Sequence, residues 1–256
     1  MWRHIAQSLQ GPSHVAAGSP CQDSHAVRVF GAGDQQALLA CVADGAGSAK
    51  HSEVGSAIAC ETLVERATQR YERQGNFDGV TQQEVLDWCD AAVERLQFEA
   101  AIRDCSFKDL ATTLCAALIT ANHSHFFQIG DGAVVVVRGG AYGVAFWPQS
   151  GEYANTTNFL TTDQYRQCVN YVAVPGRTAQ LALLTDGIER LALKFDSQTP
   201  HAQFFQPLFA ALKTAADPAP LNEQLRQFLD GDSMKSRSDD DKTLILACYQ
   251  SDDHAD

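Results

Sequence analysis

The chain has 256 residues and a formal net charge of −12, with 45% hydrophobic and 20% charged residues. That length and balance suit a globular protein with a multilayer core, and the acidic excess argues against nucleic acid or an anionic membrane as partner, since both are bound through Lys and Arg. No apolar run reaches the roughly 18–20 residues of a membrane span, and Met1-Trp2-Arg3-His4-Ile5 lacks the apolar core of a signal peptide, so a cytoplasmic location is expected.

In chain order, a first strand is expected at residues 5–9. A polar, turn-rich loop follows, with Gly11-Pro12-Ser13-His14 and Pro20-Cys21-Gln22-Asp23. Residues 26–30 and 37–43 read as two strands joined by the turn Gly31-Ala32-Gly33-Asp34. The second ends abruptly in Asp44-Gly45-Ala46-Gly47-Ser48. Ala57, Cys60, Val64 and Ala67 recur at helical spacing, and Gln74-Gly75-Asn76 ends that helix. Thr81 with Glu84 three residues on reads as a capping box, followed by the apolar stripe Val85, Trp88, Cys89, Ala92 and Leu96. Residues 112–147 change to short strands at 112–120, 125–129, 134–137 and 142–146, expected to pair as an antiparallel meander.

Residues 148–170 are polar and read as a flap-like excursion. Strands at 171–174 and 180–184 come next, the latter delivering Asp186-Gly187. Helical segments are expected at 187–195, 201–213 and 219–230. A loop at 231–238 ends at Asp239-Asp240-Asp241, then a strand at 243–249 and an acidic tail at 251–256. There is no internal repeat and no low-complexity linker, so residues 1–256 are expected to form one domain of α+β class. The eight cysteines form no C-x-x-C pair. They read as buried free thiols in a reducing compartment.

Asp23, Asp44, Asp131, Asp186 and Asp240 each abut a strand-like run, and most adjoin glycine. A single Asp-Gly pair is ordinary turn chemistry. Repetition of the device at successive strand ends points to convergence of carboxylates on cations. Hard oxygen donors with few histidines suit Mg²⁺ or Mn²⁺ better than zinc. Two such ions about 3.5–4 Å apart can activate a bridging water and clamp a phosphoryl oxygen, which gives hydrolysis of a phosphate ester without a covalent intermediate. A calcium-binding structural domain fits less well, because its ligands would cluster in one compact loop.

Four segments in order, Val42-Ala43-Asp44-Gly45-Ala46-Gly47-Ser48, Gly130-Asp131-Gly132, Leu184-Thr185-Asp186-Gly187 and Asp240-Asp241-Lys242-Thr243-Leu244, resemble the motifs of the metal-dependent Ser/Thr protein phosphatases of type 2C. The resemblance spans about residues 9–249, and Gly11-Pro12-Ser13-His14 with Pro20-Cys21-Gln22-Asp23-Ser24 is similar to a compact bacterial branch. It implies a four-layer α-β-β-α sandwich, two antiparallel sheets flanked by helix pairs, with a binuclear Mn²⁺/Mg²⁺ site between the sheets. Matched position makes Asp44 the bridge between the ions and Gly45 a carbonyl ligand. Asp186 and Asp240 complete the other ion's ligands, so these three aspartates act through metal-bound water. Asp23 is placed beside the site, as a ligand or through a water. Asp131 is matched, with Asp186, to a third and weaker ion, and Asp241 stands next to the ligand Asp240.

Three departures stand out. Gln22 occupies the place of a metal-associated glutamate, Ala46 that of a histidine assigned as general acid, and Gly18 falls near that of a phosphate-binding arginine. His14 and Lys50 are the candidates to take over contacts with the substrate. The implied reaction is hydrolysis of phosphoserine or phosphothreonine in proteins, with a cognate Ser/Thr kinase system as the implied partner. The alternatives are a pseudophosphatase that binds phosphoproteins or a kinase, and a hydrolase of small phosphate esters. Asp44, Asp186 and Asp240 are all present, which favours catalysis.

Overall fold

The computed structural model describes residues 1–149 and 157–251. The middle of the expected excursion, 150–156, and most of the acidic tail, 252–256, lie outside the described residues. The elements run β1 (Trp2–Leu9), α1 (Pro12–Ala17), β2 (Ser24–Phe30), β3 (Ala37–Ala43), α2 (Ser52–Gln74), α3 (Gln82–Ile102), β4 (Leu114–Ile119), β5 (His123–Ile129), β6 (Ala133–Arg138) and β7 (Ala141–Val144). The second half holds α4 (Tyr165–Cys168), β8 (Asn170–Pro175), β9 (Gln180–Leu184), α5 (Glu189–Ala192), β10 (Leu193–Lys194), β11 (Thr199–Pro200), α6 (Ala202–Thr214), α7 (Ala219–Leu229), α8 (Asp232–Lys235) and β12 (Lys242–Tyr249).

Two five-stranded antiparallel sheets carry the fold, in the orders β2-β3-β4-β5-β8 and β1-β12-β9-β6-β7. Alternation along the strands sorts the buried side chains into three cores. Leu38, Ala40 and Val42 of β3 meet Leu181 and Leu183 of β9 and Ile245 and Ala247 of β12 between the sheets. The opposite face of β3, Leu39, Cys41 and Ala43, packs on α2 and α3 through Leu63, Val85 and Leu96. Leu184, Leu244 and Leu246 face the other way, onto Phe205, Phe209 and Leu225 of α6 and α7. Three cores between four layers make the expected α-β-β-α sandwich. The strands of the middle layers are buried on both faces, which is why they read as unbroken apolar runs.

The local differences from expectation have physical causes. Residues 112–147 are not one meander. β4 pairs with β5 and β6 with β7, but β5 and β6 belong to different sheets. Gly130 makes that crossing at φ +105°, where a Cβ would also stand 2.4 Å from Thr113 Cγ2. Pro12 at the first helical position starts α1 inside the expected N-terminal loop. The segment expected as a helix at 187–195 is a 3₁₀ turn at Asp186–Ile188, the short α5 and an edge strand. The capping box at Thr81 is half-formed: its hydroxyl accepts from Glu84 N at 3.2 Å, while the Glu84 carboxylate lies 2.8 Å from Arg70 Nε.

Candidate metal centre

The carboxylates meet along one open edge between the two sheets. Asp44 leaves the end of β3, and its backbone is locked from β4's side. Thr113 N and Thr112 Oγ1 donate to the Asp44 carbonyl at 2.8 and 3.0 Å, and Asp44 N donates to Thr113 Oγ1 at 2.9 Å. Asp131 sits at the crossing between sheets, where Thr157 Oγ1 donates to its Oδ2 at 2.7 Å. Asp186 opens the turn after β9. Gly187 beside it presses against β12's entry so closely that a Cβ would lie 1.7 Å from the Asp241 carbonyl oxygen. Asp240 is exposed just before β12, with its Oδ1 accepting from Asp241 N at 2.8 Å. Asp44, Gly45, Asp131, Asp186 and Asp240, together with His14, line one cleft of about 270 Å³.

Asp23 and Asp241 are buried behind that cleft. Asp23 Oδ2 accepts from Thr185 Oγ1 at 2.7 Å, next to Asp186 after β9, and from Thr243 Oγ1 at 2.8 Å, at the start of β12. Asp241 ties down the N-terminal loop: Gly11 N donates to its Oδ1 at 2.6 Å and Gln22 N to its Oδ2 at 2.5 Å. His14 Nδ1 stands 2.8 Å from the same Oδ2. Asp241 therefore holds in place the loop that carries Gln22 and Asp23. Lys50 is exposed in the turn before α2 and is not among the residues lining the cleft. Cys21 lies at the site's border, with its thiol 3.7 Å from the Asp23 carbonyl, and burial pushes its pKa up, which disfavours the thiolate.

Crowded burial dominates the electrostatics. Burial, then the charges of Asp23, Asp186 and Asp131, raise Asp44 well above the usual carboxylate range. Burial raises Asp23 as well, against the two threonine hydroxyls that favour its charged form. Asp186 is pushed up to about 6, by burial and by the charges of Asp131 and Asp240. Asp131 rises chiefly through burial. Glu189 reaches about 7, through burial and the nearby Asp186 and Asp131. A bound divalent cation inverts this balance and favours the ionised carboxylates.

The donor set fits such a cation. Asp131 Oδ1, Asp186 Oδ1 and Gln22 Oε1 are buried oxygens with no hydrogen-bond partner. An orphaned buried acceptor costs about 1–3 kcal/mol, which an ion or its water shell would recover. No group of three or more His, Cys, Asp or Glu side chains among the described residues is arranged to hold an ion by itself. The oxygens that converge on the cleft are carboxylate and amide oxygens, the donor type of a hard divalent ion.

Sequence reasoning found the aspartates but missed their supports. Thr112, Thr113, Thr185 and Thr243 looked like ordinary strand residues, and only the alternation that turns them toward the aspartates could have marked them. Gln149 was also missed. It accepts from Gly130 N at 2.8 Å and donates to the Cys168 carbonyl at 2.7 Å, tying the base of the excursion to the crossing that carries Asp131. Arg166 of α4 adds a tie to α3, 2.9 Å from Asp90.

A family model described as Protein phosphatase 2C matches residues 10–230. The chain belongs to the protein phosphatase 2C family. It is 35% identical over 251 residues to Serine/threonine-protein phosphatase 3 of Escherichia coli (strain K12), across 97% of this chain and 98% of that one. The fold is also that of the Mycobacterium tuberculosis serine/threonine phosphatase PstP/Ppp, with TM-score 0.64, 16% identity and coverage of 97% and 99%. A structure of the PstP catalytic domain in complex with two manganese ions aligns with TM-score 0.61 at 16% identity, over 96% of this chain and 97% of that one. In this family member, the carboxylates of four separate strand ends share one cleft.

Proposed function

We propose that this chain is a Mn²⁺- or Mg²⁺-dependent protein phosphatase acting on phosphoserine and phosphothreonine. The observation that carries this reading is the convergence of Asp44, Asp131, Asp186 and Asp240 on one cleft, with two of their buried oxygens unpartnered. Asp44, Gly45, Asp186 and Asp240 would hold two ions, with Asp23 beside them, and Asp131 with Asp186 would hold a third, weaker one. When bound, the ions supply Lewis-acid activation of water and neutralise charge on the phosphoryl group.

The chain's own residues do the rest. The threonines fix the aspartates, and Asp241 fixes the loop bearing His14. His14 lines the cleft with its Nδ1 2.8 Å from Asp241 Oδ2, which leaves Nε2 as the ring nitrogen for a substrate oxygen. We assign His14 the protonation of the departing serine or threonine oxygen, a task for which Ala46 offers no group. Lys50, exposed and outside the cleft, receives no role in substrate binding.

The physiological partners in this reading are phosphorylated proteins and the Ser/Thr kinase that makes them. Among the described residues no helix is long and apolar enough to cross a membrane. The eight cysteines are free thiols, in keeping with a reducing compartment such as the cytoplasm.

The test is hydrolysis of p-nitrophenyl phosphate and of a phosphothreonine peptide, with Mn²⁺ and with chelator, by wild type and Asp44→Asn. Metal-dependent turnover of both substrates by wild type alone is expected. Turnover of the small ester alone would move the assignment to small phosphate esters, and none at all would leave a binding module. His14→Ala should slow the peptide reaction about 10²-fold or more and barely touch p-nitrophenyl phosphate, whose leaving group departs without a proton. Equal losses on both would remove the assignment of His14.

A further inference from the structure

Beside the metal cleft lies a second compartment of about 230 Å³, lined by Asp186, Glu189, Arg190, Arg237, Asp239 and Asp240 among others. It shares Asp186, Asp239 and Asp240 with the cleft, so the two spaces adjoin. Arg190 comes from α5 and Arg237 from the turn after α8, and both are exposed.

The two arginines are unusual in this chain. Every other arginine has a side-chain hydrogen bond, an ion pair or a ring contact. Among the described residues Arg190 and Arg237 have none, although carboxylates line the same compartment; the pull of Arg190 on Glu189 acts only through space. In a chain of net charge −12, two uncommitted guanidinium groups facing one compartment form a local exception to the acidic field. Asp186 and Asp240 are assigned to the metals, so their charge is offset when the enzyme is loaded, which leaves Glu189 and Asp239 as the acidic groups beside the two arginines. Of the groups that line it, the two planar forks are the ones suited to bidentate capture of a carboxylate or a phosphate.

We propose that Arg190 and Arg237 form an anion-recognition subsite that selects phosphoproteins carrying an acidic group, carboxylate or second phosphate, next to the residue being dephosphorylated. This rests on the phosphatase reading above and names its preferred substrate class. The exposed arginines take the neighbouring anion and raise the local concentration of the phosphoester at the metals. An acidic protein that otherwise repels acidic substrates thereby gains one oriented point of attachment.

The experiment compares kcat/KM of the Mn²⁺-loaded enzyme on phosphothreonine peptides flanked by Asp, by a second phosphothreonine, by Ala or by Lys, with p-nitrophenyl phosphate as the reference. Wild type should favour the anion-flanked peptides over the Ala peptide by about three- to tenfold at low salt, the range of exposed Arg–anion contacts, with the advantage shrinking as salt rises. The double variant Arg190→Ala/Arg237→Ala should lose that advantage and keep its rate on the Ala peptide and on p-nitrophenyl phosphate. Arg190→Glu/Arg237→Glu should turn the preference toward Lys. The Asp and second-phosphate arms show which anion the forks take. Equal turnover of all peptides by wild type, or a preference for Lys, would overturn the subsite while leaving the phosphatase assignment standing. A uniform loss across all substrates in the double variant would also overturn it. Absence of metal-dependent turnover of p-nitrophenyl phosphate would overturn both.

Discussion

The two sheets supply the same kind of side chain to the cleft but hold it differently. On the β3 side, Asp44 has its backbone carbonyl and amide engaged by Thr112 and Thr113 of the neighbouring chain segment. On the β12 side, Asp240 is exposed on a loop, and its carboxylate accepts a bond from the next residue's own amide. Asp186 is intermediate: half-buried, on a 3₁₀ turn wedged against Asp241 through Gly187. In the proposed metal site the difference would separate a preorganised ligand from an adjustable one. A site built this way can keep one ion position rigid while the other side yields as substrate enters.

The largest effect should come from the rigid side. Asp44→Asn should lower kcat/KM by at least about a thousandfold, roughly 4 kcal/mol, and Asp240→Asn by distinctly less. Equal losses would break the contrast between the two sides. Next, Gly187→Ala puts a methyl against the Asp241 carbonyl and should cost several kcal/mol, of order 4, of stability, visible as a large fall in the urea midpoint. An unchanged midpoint would mean that β12's entry is as loose as the Asp240 loop.

Thr185→Val and Thr243→Val each remove one hydroxyl from Asp23 and should weaken Mn²⁺ binding about 10- to 100-fold in titration calorimetry, the usual reach of groups that orient metal ligands. Without metal, Asp186 has its folded pKa raised to about 6, above that of the unfolded chain. The folded state therefore holds the proton more tightly. That stabilisation is complete below about pH 4 and is lost as pH rises through about 6, on the order of 2 kcal/mol. The metal-free protein should thus melt lower at pH 7.5 than at pH 5. Mn²⁺ should raise Tm more at pH 7.5, where the carboxylates are free of protons. A pH-independent Tm with and without metal would contradict the crowding of Asp186. The smallest effect is at Lys50, where Lys50→Ala should leave phosphatase kinetics within error.

The strands and their aspartates were legible because each buried strand is an apolar run cut short by Asp and a glycine or polar turn. Asp44, Asp131, Asp186 and Asp240 stood out because a carboxylate at the end of such a run breaks its pattern. What stayed hidden depends on contacts far apart in sequence. Nothing near Gly130 says that β5 and β6 enter different sheets; that follows from which layer each strand finds a partner in. Thr185 and Thr243 owe their meaning to Asp23, more than 160 residues away for the nearer of them. Asp241 looked like a neighbour of a ligand, and its grip on Gly11 and Gln22 needs a strand from each end of the chain to lie side by side. Lys50 was nominated by nearness to Asp44 in sequence, but the turn before α2 carries it to the surface. The same blindness hid Arg190 and Arg237, whose distinction is that their side chains have no hydrogen bond or ion pair among the described residues.

The convergence of these carboxylates on metal is tested most directly by titrating Mn²⁺ into the metal-stripped protein at pH 7.5 by calorimetry, for wild type and Asp44→Asn, with p-nitrophenyl phosphate turnover followed in the same samples. Wild type should take up at least two ions per chain, with activity rising as they bind, and Asp44→Asn should lose both the binding and the turnover. Unchanged Mn²⁺ binding in Asp44→Asn, or wild-type turnover that survives complete chelation, would contradict it.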